Sequence, residues 1–267
     1  MYGLGVNRLG ATNTSNDILR LFANGEQGAW YDPSDLSKVF QQDGTTPTIP
    51  WTSGDILDAN RVGKLVDKSG NGNDAFQTTL SKCPALKYVG GLYYLEFDGV
   101  DDCLRVGTDV DFTSTDEMSV FAGARKENDA VDVVVEFSDN IGGSTAAFRL
   151  NAVDSNRWRY TSKGTSLVNA TANNYTPPVT SVLTGLSKIS SPVVTVRVDG
   201  VEKASPTNSQ GTGNYGSHPI NVGSRNNGAG LQLDGNIYNL IIRGTLSNAD
   251  EISSTETYVA SKTGVTI

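Results

Sequence analysis

Between Tyr93 and Asp98 the side chains alternate with a period of two: Tyr93, Leu95 and Phe97 fall on one face of an extended chain, Tyr94, Glu96 and Asp98 on the other. No helix offers that period, so the segment predicts a strand with one face buried. The Asp98-Gly99 pair then marks a turn. Upstream, Asp67, Ser69, Gly70, Asn71, Gly72, Asn73 and Asp74 form a run in which neither helix nor ladder can persist. Such residues bond their own backbone or accept left-handed conformations. Strands separated by corners of this kind predict a protein made of sheets.

The totals agree. The chain has 267 residues, 37% of them hydrophobic, with 29 glycines, 9 prolines and 8% aromatics, which suits many short strands better than a helical bundle. A β-sandwich of this size is commonly one unit, so one core is expected. The net charge of −8, with lysines and arginines dispersed, argues against a nucleic-acid partner. No apolar run approaches the roughly 20 residues of a membrane span, and MYGLGVNRLG lacks the basic and apolar regions of a signal peptide. Synthesis and assembly in a cytoplasm are therefore expected. Cys83 and Cys103 are expected to be reduced thiols rather than a bridge, and their spacing excludes a CxxC zinc site.

Three stretches resemble a known family. DKSGNGNDA at 67–75, followed by EFDGVDDCL at 96–104, resembles the concanavalin A-like jelly roll, in the laminin G-like variety found in structural and tail proteins of tailed bacteriophages. LFANGEQGAWYDPSD, Leu21 to Asp35, is similar to the segment such proteins place ahead of the jelly roll. DGNIYNLIIRG, Asp234 to Gly244, with SNADEISSTETYVASKTG, Ser247 to Gly264, is similar to their last strand and closing helix. The resemblance implies an all-β, antiparallel two-sheet sandwich with an N-terminal extension over 1–28 and the jelly roll over 29–267. It also implies a virion setting, with other virion structural proteins and further copies of the chain as partners.

Along the chain, a helical turn is expected across Ser34 to Phe40, with Trp51 packed under it. One long strand is expected over 93–106. Further strands are expected at Met118 to Arg125, Val131 to Ser138, Ala146 to Ala152, Asn156 to Ser162, Thr180 to Leu186, Val193 to Val198, Val201 to Ala204, His218 to Gly223, Gly230 to Asp234 and Asn236 to Arg243. Ser205 to Gly216 is expected to be an exposed loop. A helix capped by Ser247, with Asp250 and Glu251 in its first turn, should bury Ile252, Thr255 and Val259 and stop at Gly264. EFDGV, RVDGV and QLDGN are repeated solutions to a strand-ending turn, not a duplication.

Catalytic patterns are weak. The one histidine, His218, has no G-x-S-x-G elbow to meet it and is expected to be a turn residue held by Pro219. The E-x-D-x-E strand pattern of jelly-roll glycosidases is missing, so no enzyme activity is expected. A structural calcium ion could use the hard oxygens of Asp98, Asp101 and Asp102, or of Asp67, Asn71, Asn73 and Asp74, although aspartates and asparagines in turns commonly bond locally. Sugar binding would need an aromatic platform, for which Trp158 and Tyr160 alternate with Arg157 and Arg159, with Tyr175 and Tyr215 as loop alternatives. If instead the Trp158 face is core, the arginines face solvent. Tyr2, Leu4, Val6 and Leu9 form a glycine-spaced segment expected either to dock on another virion subunit or to fray. Three roles remain: a particle decoration, a receptor-binding lectin for host cell-surface glycans, and, ranked lowest, a sugar-cleaving enzyme.

Overall fold

The computed structural model describes residues 15–42 and 61–267, with the backbone of Ile49–Pro50. The expected arm of Tyr2, Leu4, Val6 and Leu9, and Trp51, lie outside the described residues.

Among the described residues the strands assemble into two large antiparallel sheets. The first runs in the order Val201–Ala204, Val193–Val198, Val179–Lys188, Glu117–Lys126, Asp234–Arg243, Leu92–Asp98 and Ala85–Val89, with Gly28–Tyr31 also pairing with Asp234–Arg243. The second, of ten strands, includes Leu167–Ala172, Arg157–Lys163, Ala147–Val153, Val133–Phe137, Ile220–Val222, Leu104–Val106, Ala75–Phe76 and Val62–Leu65 in that order. Between them lies one apolar core that includes Leu95, Phe97, Val120, Phe137, Phe148, Trp158, Tyr160, Val196 and Leu240. The chain is therefore an antiparallel two-sheet β-sandwich of jelly-roll type with a short C-terminal helix.

The segment expected as one strand over 93–106 is two strands in different sheets. Leu92–Asp98 pairs with Asp234–Arg243 in the first, and Leu104–Val106 pairs with Ile220–Val222 in the second. The turn between them carries the chain across the sandwich. Asp98 Oδ1 accepts from Val100 N at 2.9 Å, and Asp102 Oδ2 accepts from Asp98 N at 3.1 Å. Gly99 adopts φ +72°, and a Cβ there would lie 2.8 Å from that of Asp234. Alternation alone cannot register this crossing, because a turn closed by side chains leaves the hydrophobic pattern on either side intact.

Other expectations need correction. Gly230 makes only an isolated bridge to Arg225, and the strand begins at Asp234. The Ser205 to Gly216 segment is anchored at two points: Gln210 and Tyr215 are buried, Gln210 Nε2 donating to Lys188 O at 2.8 Å and Val193 O at 2.9 Å. Ala85–Val89 and Leu167–Ala172 are strands beyond those expected, although in the second Val168, Ala170 and Ala172 alternate with Asn169 and Thr171.

The loop at 67–74 uses its oxygens locally. Asp67 Oδ1 accepts from Trp30 N and Ser69 N at 2.9 and 2.8 Å, its Oδ2 from Asn73 N at 3.0 Å, and Asp74 Oδ1 from Asp67 N at 2.8 Å. The same bonds tie Gly28–Tyr31 to the sandwich.

The Ala249–Thr263 helix is capped by Asn248 rather than Ser247. Asn248 Oδ1 accepts from Asp250 N and Glu251 N, both at 3.0 Å, while Glu251 returns a bond to Asn248 N. Gly264 ends it at φ +72°. The helix lies across the outer face of the first sheet, where Tyr258 and Val259 meet Trp30, Phe121, Val182, Ile241 and the buried Ile18, Leu21 and Phe22. Gly123 makes room for its last turn, since a Cβ there would sit 2.4 Å from Thr263 Cγ2.

A candidate binding groove on the helix-bearing sheet

The sequence-predicted sugar platform is not at the surface. Trp158 and Tyr160 are fully buried and point between the sheets; Trp158 is flanked in register by Ala152 and Ala172, whose small side chains leave space for the indole. Tyr160 lies against Gly185, and its hydroxyl meets Ser187 Oγ at 2.8 Å. Tyr215 is also buried, its hydroxyl 2.6 Å from both Ser162 Oγ and Ser187 Oγ. These three are core residues, and the arginines between Trp158 and Tyr160 take the outer face. Tyr175 is half-buried, packs against the core, and its amide donates to Asn156 O at 2.7 Å. His218, expected in a turn, lies in the short strand Ser217–His218, with Nε2 3.0 Å from Thr145 O and its ring edge-on to Phe137.

The structure brings Asp98, Asp101 and Asp102 together, with a carboxylate oxygen of each within 4.8 Å of the others. Asp102 is buried and also faces Arg61 Nη1 at 3.2 Å. Burial pushes its carboxyl up to about 7, and the neighbouring Asp98 adds to the effect while Arg61 opposes it.

The helix covers only part of its sheet. Beyond it, strand pairing places Glu96, Asn236 and Arg125 side by side across three strands, with Tyr94 and Tyr238 one row away. These positions alternate with the core residues Leu95, Phe97 and Ile237, so they face outward. Together with Val89, Leu92 and Glu127 they line a groove of about 300 Å³. The rings of Tyr94 and Tyr238 meet at 5.1 Å with planes tilted by 48°. Burial, then the charge of Glu96, raises the Tyr94 hydroxyl above its ordinary range, so that hydroxyl stays a neutral donor. Glu127 bonds the Arg125 guanidinium and holds it charged, and Lys87 Nζ lies 3.4 Å from Glu96. A second hollow of about 270 Å³ shares Glu96, Glu127 and Asn236 and continues to Arg61, Asp98, Asp102 and Asp234.

Tyr94 is half-buried and Tyr238 buried, so the combination is one accessible aromatic ring braced by a second, beside carboxylates, a guanidinium and an amide. Such a surface can stack on the apolar face of a ring and bond its hydroxyls. Sequence reasoning identified the outward face of Tyr94, Glu96 and Asp98. It missed Arg125, Glu127, Asn236 and Tyr238, because they join that face through pairings between distant parts of the chain, one of them shifted by a bulge at Gly123/Ala124.

No protein-family model matches the chain, and no curated protein sequence matches it. Solved structures do. Domain 4 of AbnA, a GH43 extracellular arabinanase from Geobacillus stearothermophilus, in complex with arabinotriose, superposes with a TM-score of 0.55 at 14% identity, over 87% of this chain and 98% of that one. The receptor-binding domain of botulinum neurotoxin type G gives 0.54 at 13% identity, over 73% of this chain and 48% of that one. The binding domain of botulinum neurotoxin DC in complex with SialylT gives 0.54 at 12%, over 85% and 52%. The chain thus spans about half of the neurotoxin domains and nearly all of the arabinanase domain. Likeness at these identities defines the fold, a β-sandwich that carbohydrate-binding and receptor-binding domains share.

Proposed function

We propose that this chain is a non-catalytic, lectin-like binding module that recognises a neutral glycan on a cell surface. The observation that carries the reading is the Tyr94–Tyr238 pair in the groove bordered by Glu96, Arg125, Glu127 and Asn236. The half-buried Tyr94 ring, braced by the buried Tyr238 ring, offers stacking area at little entropic cost, and the flanking charges are already paired, so they orient hydroxyls rather than attract counter-ions. The fold's kinship with a domain in complex with arabinotriose and with neurotoxin binding domains supports the reading. The sequence resemblance to tailed-phage proteins supports a setting on a virion surface, among other virion proteins and copies of this chain, after assembly in the host cytoplasm.

The test is binding of the purified chain to neutral oligosaccharides by calorimetry, beside Tyr94→Ala and Tyr238→Ala. Loss of a stacked ring is expected to weaken binding about tenfold, equivalent to ~1.4 kcal/mol. Unaltered affinity in both variants, or release of reducing ends by the unmodified chain, would overturn the proposal.

A further inference from the structure

The opposite outer face of the sandwich, on the ten-stranded sheet, carries a different chemistry. Pairing sets Asn169, Thr161, Arg149, Glu136 and Asn221 in one row across five strands, and Thr171, Arg159 and Asn151 in the next. Two loops border these rows. In one, Lys163 Nζ donates to Ile141 O at 2.9 Å and Gly142 O at 3.2 Å; from the other, Arg225 reaches Glu136 at 3.3 Å.

The charges here do not balance. Arg149 lies 3.7 Å from Glu136, so one fully buried carboxylate is shared by two guanidiniums while also accepting from Ser138 Oγ and Ile141 N. Lys163 is held by carbonyls alone among its described contacts. Arg159, half-buried, donates to Thr171 Oγ1 at 3.2 Å, and among the described residues no carboxylate lies within ion-pair distance of it. The neighbouring arginines differ: Arg157 pairs with Asp154 at 2.6 Å and Arg105 with Asp139 at 3.3 Å. Among the described residues Arg149 Nε is buried with no hydrogen-bond partner. The guanidiniums of Arg149 and Arg159 are each held below their ordinary range, first by burial; Arg225 and Arg159 then repel Arg149, and Arg157 repels Arg159.

Clustered cations in a chain of net charge −8 cost free energy unless an anion joins them. Guanidinium forks match carboxylate and sulfate oxygens two at a time. We infer that Arg159 and Arg225, backed by Arg149, form a binding site for the anionic groups of an acidic polysaccharide, separate from the tyrosine groove. Thr171 and the exposed Asn169, on the same face, supply partners for adjoining sugar hydroxyls.

The test uses oligogalacturonate, dextran sulfate and uncharged dextran as probes, with single-stranded DNA alongside, at two salt concentrations. The intact chain should retain one or both charged polysaccharides, weaken as salt rises, and ignore dextran at this face. The carboxylate and sulfate probes distinguish the two sources of charge. Arg159→Ala should lower affinity at least tenfold with unchanged melting temperature, Arg225→Ala should lower it similarly with a lower melting temperature because it unpairs the buried Glu136, and Arg159→Lys should restore only part of the affinity. Tyr238→Ala should leave this binding untouched, which separates failure here from failure of the groove. Equal binding of DNA, no binding of either charged polysaccharide, or unaltered affinity in Arg159→Ala would overturn the inference.

Discussion

Replacing Trp158 by Ala tests the distinction between core and platform most directly. The indole is fully buried between Ala152 and Ala172, whose side chains are too small to collapse into the space it would vacate. The Lys126 ammonium, also buried, lies 5.5 Å from the ring centroid. Emptying such a site costs about 3–5 kcal/mol for Trp→Ala, and loss of a desolvated cation–π contact adds up to ~2 kcal/mol. At ~1.4 kcal/mol per tenfold, the cavity alone lowers the folding equilibrium by two to nearly four orders of magnitude. That is a large share of a typical stability of about 5–15 kcal/mol. Urea unfolding followed by far-ultraviolet circular dichroism should show the midpoint falling steeply, with a smaller fall for Trp158→Phe. At low urea, where the variant is folded, glycan affinity should match the parent. A variant that unfolds at the parent's urea concentration yet loses glycan binding would place the indole at the surface and refute the burial argument.

Further outcomes follow from other sites. Asp132 is buried, and burial followed by the charge of Asp234 pushes its carboxyl from the ordinary 3.8 to about 6. The folded chain therefore holds a proton that the unfolded chain releases, so stability from this group is present below pH ~4 and is lost as pH rises through 6. Asp132→Asn should exceed the parent in unfolding free energy by on the order of 3 kcal/mol at neutral pH, with the gap closing toward pH 4 in denaturant titrations. Asn248→Ala should cost ~1 kcal/mol by removing the helix cap, measured as a lower unfolding midpoint. Gly185→Ala should cost about 1–3 kcal/mol or more, because the new methyl would sit 2.3 Å from the Tyr160 ring; a neutral result in thermal melts would contradict the packing. Cys83 and Cys103 are buried free thiols, and burial pushes Cys83 up to about 12. Thiol reagents should label neither in the native protein and both in denaturant.

Much of the fold is visible in the chain itself. Apolar runs bounded by turn residues located Glu117–Lys126 and Asp234–Arg243 to within a few residues, as befits central strands buried on both faces, while Arg157–Lys163 begins with the alternation of a half-buried strand. The closing helix is equally legible from its acidic first turn and Gly264. The glycan platform is a different matter. Trp158 and Tyr160 occupy one face of a strand, and period-two spacing says which residues share a face but not which face meets the other sheet. Arginines on the opposite face are compatible with either answer until a second sheet covers the aromatic side.

What the sequence alone determined is most of the strands, many of their corners and the helix, since those follow from local backbone preferences and the side-chain period. Tertiary structure decided the crossing at Asp98 to Cys103, the partnership of Tyr94 with Tyr238, and the gathering of Arg149 and Arg225 around the Glu136 carboxylate with Arg159 nearby. Each joins residues from different strands or loops. Their proximity depends on strand order and register, which are set by burial summed over the whole sandwich rather than by any one segment.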